Sequence, residues 1–415
     1  MSVSGQLADA HRRGWGLVLA AAVRVTRDID LAEECVQEAY ASALATWPVD
    51  GVPANPIGWL TTAAKRRAID GIRREQVYRT KLALLAVPPP PEEPAPDLLG
   101  LIFTCCHPAL SPEVRPALTL RLVCGVSTAE LARAFLVAEP TMAARLTRAK
   151  KKITKARISY RMPDATDLPD RLRAVLEVVH LLYTTGHTAT TGPALLRNDL
   201  ADLALYLART LSELMPDEPE TQGLLALLLA TDARRATRTD PGGRLIRLED
   251  QDRSRWDWAA IAEADTLIVR ALRAGRPDRA GRPGHPGRAG RPGRYTLQAA
   301  IAALHAQAPT FEQTDWPQLL RLYGELLTIW PSPVVALNRI VPMSRVHGPE
   351  HALRALEVLA HDERLAGYQY LPAIRADLLE RLGRHPEAAA AYREALALTT
   401  NEPEREFLTR RLDTA

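Results

Sequence analysis

Between Ala117 and Ile153 two stretches carry apolar residues at helical spacing on either side of a short turn, which restricts this part of the chain to a helix-turn-helix pair. Ser127 stands as N-cap with Glu130 three residues on, a capping box, so the first helix begins near Thr128. After Val137, Ala138 and Glu139 a second helix starts with Pro140 in its first turn, where a missing amide hydrogen leaves no bond unmade. Met142, Leu146, Ala149 and Ile153 line one face of it, and Thr141, Arg145, Arg148 and Lys152 repeat the same spacing one residue earlier. Arg145, Arg148, Lys150, Lys151, Lys152 and Lys155 include no acid among them. A basic stripe on an amphipathic helix is ordinarily a solvated face. Joined to a preceding helix by a short turn, it suits a helix laid in the major groove with its C-terminal end along phosphates. Thr141, Arg145, Arg148, Lys151 and Lys152 are the candidate DNA contacts.

Two further blocks lie upstream. From Asp30 to Tyr40, Glu33 with Gln37 and Glu34 with Glu38 fall at i, i+4 and make an acidic ridge, with Val36, Tyr40 and Ala43 on the buried side. Like-charged neighbours slightly disfavour an isolated helix, so the ridge is read either as a solvated face or as a surface for a basic partner. In the next helix Leu60, Ala64, Ala68 and Ile72 line one side, while Lys65, Arg66, Arg67, Arg73 and Arg74 supply cations on others. Trp59 is the only aromatic residue between Trp59 and Arg74, and it serves either as a core brace or as a platform for an unpaired base.

Together these blocks resemble a family. Gly125-Val-Ser-Thr-Ala-Glu-Leu-Ala followed by Glu139-Pro-Thr-Met-Ala-Ala-Arg-Leu-Thr-Arg-Ala-Lys resembles region 4, the promoter −35 reading domain, of extracytoplasmic-function sigma factors. Asp30-Leu-Ala-Glu-Glu-Cys-Val-Gln-Glu-Ala-Tyr40 resembles the region 2 helix that grips the clamp of RNA polymerase. Trp59-Leu, Ala64-Lys-Arg, Asp70 and Arg73-Arg74 resemble the helices that hold and open the −10 element; the family's usual pattern has Asn where Arg66 stands. The resemblance implies polymerase contacts by Glu33, Glu34, Gln37 and Glu38, and −10 contacts by Trp59, Lys65, Arg66, Arg73 and Arg74. Its implied partners are core RNA polymerase and promoter DNA, with no catalytic residue, cofactor or metal.

At 415 residues the chain is too long for two small helical modules, so more must follow. The run Val87 to Pro96 is proline-rich and reads as an extended linker, through which two DNA-binding modules gain effective concentration on adjacent elements. Arg171–Tyr183, Asp199–Leu214 and Gln222–Ala233 read as helices, and no strand alternation competes. His180, Tyr183 and His187 read as helix-packing residues, while Asp232, Arg234 and Arg235 with Glu249, Asp250, Asp252 and Arg253 suggest an ion-pair network around a loop. Gly275 to Arg294 repeats glycine at every third position from Gly281, yet is far too short for a triple helix, and reads as a basic surface loop. Beyond it, Gly383-Arg384, Glu387-Ala388, Tyr392, Ala395-Leu396 and Leu398 resemble the second helix of a tetratricopeptide hairpin, with Tyr370–Leu382 as the first. Pro342 is expected to kink or end the helix around it.

Cys35, Cys105, Cys106 and Cys124 read as reduced core residues of a cytosolic protein, since adjacent Cys105, Cys106 and His107 cannot readily share one tetrahedral centre. No apolar run is long enough to span a membrane, and the start lacks a signal-peptide pattern, so a cytoplasmic location is expected. A net charge of +4 is modest for a nucleic-acid binder, which places the basic residues in local patches.

The fold expected is all-α: a region 2 module at 1–80, a linker at 81–97, a region 4 module at 98–160, a helical extension at 168–274, a loop at 275–294 and a tetratricopeptide-like domain at 295–415. The extension is expected to regulate the modules, by folding back on them or by accepting a partner. A helix-turn-helix regulator without sigma activity and a tetratricopeptide scaffold are the alternatives.

Overall fold

The computed structural model describes residues 3–80, 98–135, 137–164, 166–189, 191–274 and 291–414. These residues form eighteen α-helices and one parallel pair of two-residue strands, Thr191–Gly192 against Thr400–Asn401, so the architecture is all-α as expected. No helix among them is long and apolar enough to cross a membrane. The chain divides into two compact units, Met1–Leu181 and Leu182–Ala415. The linker at 81–97 and most of the Gly/Pro/Arg tract lie outside the described residues.

The first unit holds α1 (Val3–Thr26), α2 (Ile29–Asp50), α3 (Pro56–Thr80), α4 (Leu98–Cys105), α5 (Arg115–Cys124), α6 (Thr128–Ala134), α7 (Glu139–Lys155) and the larger part of α8 (Leu168–His187). Helix α1 is its hub, packed against α2 and α3 and also against α4 and α5. Glycine permits this approach: a Cβ at Gly16 would lie 2.5 Å from the Val123 carbonyl oxygen of α5, and one at Gly14 would lie 2.8 Å from the Ile57 side chain of α3. Helix α2 starts on Asp28, whose carboxylate accepts from the amides of Asp30 and Leu31. Helix α4 is buried along its whole length, and α5 ends on Gly125 in the left-handed conformation (φ 71°). The four cysteines are buried; desolvation pushes the Cys106 thiol up to about 11 and that of Cys124 up to about 12, so both stay protonated at neutral pH. His107 accepts from the Ala109 amide at 3.0 Å and so caps a turn.

The second unit continues with α9 (Asn198–Leu214), α10 (Pro219–Asp232), α11 (Trp258–Ala274), α12 (Arg294–Gln307), α13 (Trp316–Ile329), α14 (Pro333–Val346), α15 (Pro349–Leu359), α16 (Tyr370–Arg381), α17 (His385–Leu398) and α18 (Glu402–Thr414). Helix α10 is buried from Glu220 to Ala230, with α9, α11 and α12 packed around it. Gly223 lets α12 close in, since a Cβ there would lie 2.6 Å from the Thr296 amide nitrogen. The cap residue of α12 is Gly293, which has no side chain to offer. Buried Glu220 takes over the role, accepting from the amides of Tyr295 at 3.0 Å and Thr296 at 3.2 Å. Because α11 and α12 pack on each other, the helices on both sides of the Gly/Pro/Arg tract belong to one packed body.

Pro342 neither ends nor interrupts α14, which runs from Pro333 to Val346 with Pro342 buried inside it. The lost amide bond is outweighed by packing on α13 and α15, and by Arg381 of α16, which donates to Ser344 Oγ at 2.9 Å just past the proline. The pair α16–α17 forms around Gly383 (φ 71°), with Ala388, Ala391, Tyr392 and Ala395 of α17 buried.

Candidate nucleic-acid interface

The capping box is formed as the sequence requires: the Ser127 amide donates to Glu130 Oε2 at 2.9 Å and the Glu130 amide to Ser127 Oγ at 3.2 Å, and α6 starts at Thr128. In α7 the four buried residues are Met142, Leu146, Ala149 and Ile153. Burying that stripe turns its neighbour outward: Thr141, Arg148, Lys151 and Lys152 are exposed and Arg145 is half-buried. Lys152 and Lys155 stand in the last turn, where cations complement the helix dipole. The geometry thus offers one cationic face over about three turns of helix.

On α3, Leu60, Ala64 and Ala68 are buried, Arg66 and Arg73 are exposed, and Lys65 is half-buried. The Arg74 side chain lies outside the described residues. Trp59 is half-buried against Trp47 of α2, edge to face with centroids 5.6 Å apart, which is the bracing arrangement, and part of its ring stays accessible. Trp47 itself is buried at 2% exposure and was not singled out from the sequence.

The acidic ridge splits. Glu34, Gln37 and Glu38 are exposed on α2, and Glu38 pairs with Arg67 of α3 at 3.2 Å. Glu33 is turned inward at 5% exposure, between α2, α5 and α7. Its Oε1 faces Arg121 Nη2 at 2.9 Å as an ion pair without hydrogen-bond alignment, and its Oε2 accepts from Lys150 Nζ. Lys150 also reaches exposed Asp30 at 2.8 Å. Burial works against the charge on Lys150, but hydrogen bonds to Asp30 and Glu33 outweigh it and raise its pKa. Arg121 completes its coordination on the Val126 carbonyl at 3.2 Å. Beside this knot, His11, Trp15 and Tyr40 pack ring against ring with centroids 5.0–5.8 Å apart. Burial lowers the His11 pKa, with Glu130 opposing and Arg121 adding to the shift. The sequence carried one trace of this contact: Lys150 flanks the apolar stripe of α7 one turn after Leu146, off the outward basic stripe.

Residues 11–77 match the family described as Sigma-70 region 2, residues 101–153 match Sigma-70, region 4, and residues 171–272 match a family of unknown function (DUF6596). The chain is 41% identical over 415 residues to Uncharacterized protein R00370 of Rhizobium meliloti (strain 1021), across 95% of this chain and 92% of that protein. It is 42% identical over 65 residues to the ECF RNA polymerase sigma factor SigK of Mycobacterium ulcerans (strain Agy99), across 15% of this chain and 33% of that one. No solved structure matches. The chain belongs to the sigma-70 family, as a factor of the extracytoplasmic-function type with a helical C-terminal extension. Members of this family are transcription initiation factors rather than enzymes, and their partners are core RNA polymerase and promoter DNA.

Proposed function

We propose that this sigma factor rests in a closed form in which α7 is docked on α2, and that it reads promoters only after the two modules part. The observation that carries the reading is the buried Glu33 carboxylate, shared by Arg121 of α5 and Lys150 of α7. Elements centred near −35 and −10 are separated by about 25 base pairs, roughly 80 Å of duplex. A compact body of some 180 residues is only on the order of 40 Å across. Docked modules therefore cannot reach both elements at once.

In the open form α7 reads −35 DNA through Thr141, Arg145, Arg148, Lys151 and Lys152. Trp59, Lys65, Arg66, Arg73 and Arg74 hold and help melt the −10 element. Glu34, Gln37 and Glu38 meet the polymerase clamp, and Glu33 joins them once released. The extension regulates these steps in the cytoplasm, by contact with the sigma modules or by accepting a partner on tetratricopeptide-like helices. The test is transcription in vitro with purified core polymerase, with and without the protein. Start sites that appear only on its addition support the reading, and none with either the full chain or a chain truncated after Arg161 would refute it. Unchanged polymerase affinity and promoter output on truncation would remove the regulatory role of the extension.

A further inference from the structure

The segment between α10 and α11 carries three arginines that gather against α8 and α12. Arg238 donates to the His187 carbonyl and, at 3.1 Å, to Thr188 Oγ1. Arg253 donates to the carbonyls of His305 and Ala308 at 2.9 and 2.7 Å and stacks over Trp256 at 4.4 Å. Arg234 lies beside them, because Ala233 packs in one cluster with Trp256 and Ala306, the neighbours of Arg253 and His305; it is half-buried, and its guanidinium makes no hydrogen bond or ion pair among the described residues. Two more polar atoms of the cluster, Arg253 Nη2 and His305 Nδ1, are buried without a partner.

The carboxylates nearby are already engaged. Asp232 accepts from Tyr183 Oη at 3.3 Å and pairs with Arg235 at 2.7 Å, and Arg235 also holds Asp202 at 2.6 Å. Glu404 accepts from Tyr370 Oη at 2.5 Å, and Glu312 is exposed. The ion-pair network read from the sequence thus breaks into separate pieces: Arg247 takes Glu249 and Asp250, Asp252 caps Ser254, and Arg234 is left over. A guanidinium cannot shed its proton to escape burial, as a lysine can. The histidines have done so: burial, with the arginines adding, lowers the His187 pKa to about 2 and that of His305 to about 4. What balances such a cluster is negative charge, and what its unmatched donors fit is an acceptor with several oxygens.

We propose that Arg234, Arg253 Nη2 and His305 Nδ1 form a binding site for a small oxyanion, the phosphate or carboxylate group of a small molecule. The fork of Arg234 supplies two parallel donors, Arg253 Nη2 a third, and His305 in its Nδ1–H tautomer a neutral one. Ligation ties α12 to the segment after α10, which gives the extension a small-molecule input that is independent of how the sigma modules act.

The test is a calorimetric titration of the full-length chain with inorganic phosphate and, separately, with acetate, each against chloride at matched ionic strength. Saturable binding of phosphate alone assigns a phosphate group, and saturable binding of acetate as well assigns a general oxyanion site. Arg234→Met is expected to weaken binding at least about tenfold and Arg234→Lys by less, since it keeps the charge and loses the fork. Arg209→Gln, on the exposed pair with Glu263, is expected to leave binding unchanged. No saturable heat with either anion on the wild-type chain, or full affinity in folded Arg234→Met, overturns the proposal.

Discussion

Replacing Glu33 by Gln keeps the shape of the side chain and removes the charge that Arg121 and Lys150 share. Two unit charges about 3 Å apart attract by roughly 5–6 kcal/mol at an effective dielectric of about 20, and desolvation of both partners cancels much of this. Removing one member of a buried pair nevertheless costs about 3–5 kcal/mol, because the others stay buried and uncompensated. The lower end applies here: Lys150 keeps Asp30 at 2.8 Å, and Arg121 keeps the Val126 carbonyl at 3.2 Å. A change of about 3 kcal/mol shifts the ratio of docked to separated modules by roughly 150-fold. Energy transfer between dyes on cysteines introduced at exposed Ala45 of α2 and Thr147 of α7 reads that ratio, the native thiols being buried. Transfer is expected to fall in Glu33→Gln and to fall less in Lys150→Met, which leaves the Arg121 pair in place. Lys150→Met should also bind core polymerase more tightly, since apparent affinity scales with the fraction that is open. Equal transfer in the wild type and Glu33→Gln, both folded, would show that the carboxylate does not hold the modules together.

Other perturbations test separate parts of the reading. Arg145→Ala and Arg148→Ala should each weaken promoter binding by the polymerase complex by about 1–3 kcal/mol, and neutralising Lys151 or Lys152 should lower the salt slope by about one; anisotropy titrations across salt concentrations check both. Gly16→Ala places a Cβ 2.5 Å from the Val123 carbonyl oxygen, a backbone atom that cannot swing away, so calorimetry should show a loss of about 1–3 kcal/mol together with undocking of α5. Acidification should weaken the second unit. Its folded-state histidine pKa values, about 4 at His305 and about 2 at His187, lie below the ordinary 6.5. The unfolded chain therefore takes up protons first, and stability is full above pH 6.5 and falls as the pH drops toward those values. The loss by pH 4 is roughly 3 kcal/mol per histidine at most, read from urea midpoints against pH, and His305→Asn should remove about half of the slope.

The chain by itself determined whatever depends on neighbours three or four residues apart. The Ser127–Glu130 cap, the buried stripe Met142, Leu146, Ala149 and Ile153 and its basic neighbour all follow from helical periodicity. So does the turn at Gly383, which only a residue tolerant of positive φ allows. The structure decided whatever depends on docking between distant segments. Glu33 shares the buried face of α2 with Ile29, Val36 and Tyr40, as helical spacing requires, but only the arrival of Arg121 and of Lys150, which lies 117 residues further along the chain, supplies the charges that let a carboxylate sit there. Pro342 sits within an uninterrupted α14 because the surrounding helices hold the turns on both sides of it, a term no local propensity contains. Arg234 and Arg235 are adjacent in the chain, yet Arg235 is paired with Asp202 and Asp232 and Arg234 lies near uncharged His305 and cationic Arg253. Local patterns fix which residues share a helix face, whereas the charge each face meets is set by long-range packing, because Coulombic energy depends on separation in space rather than along the chain.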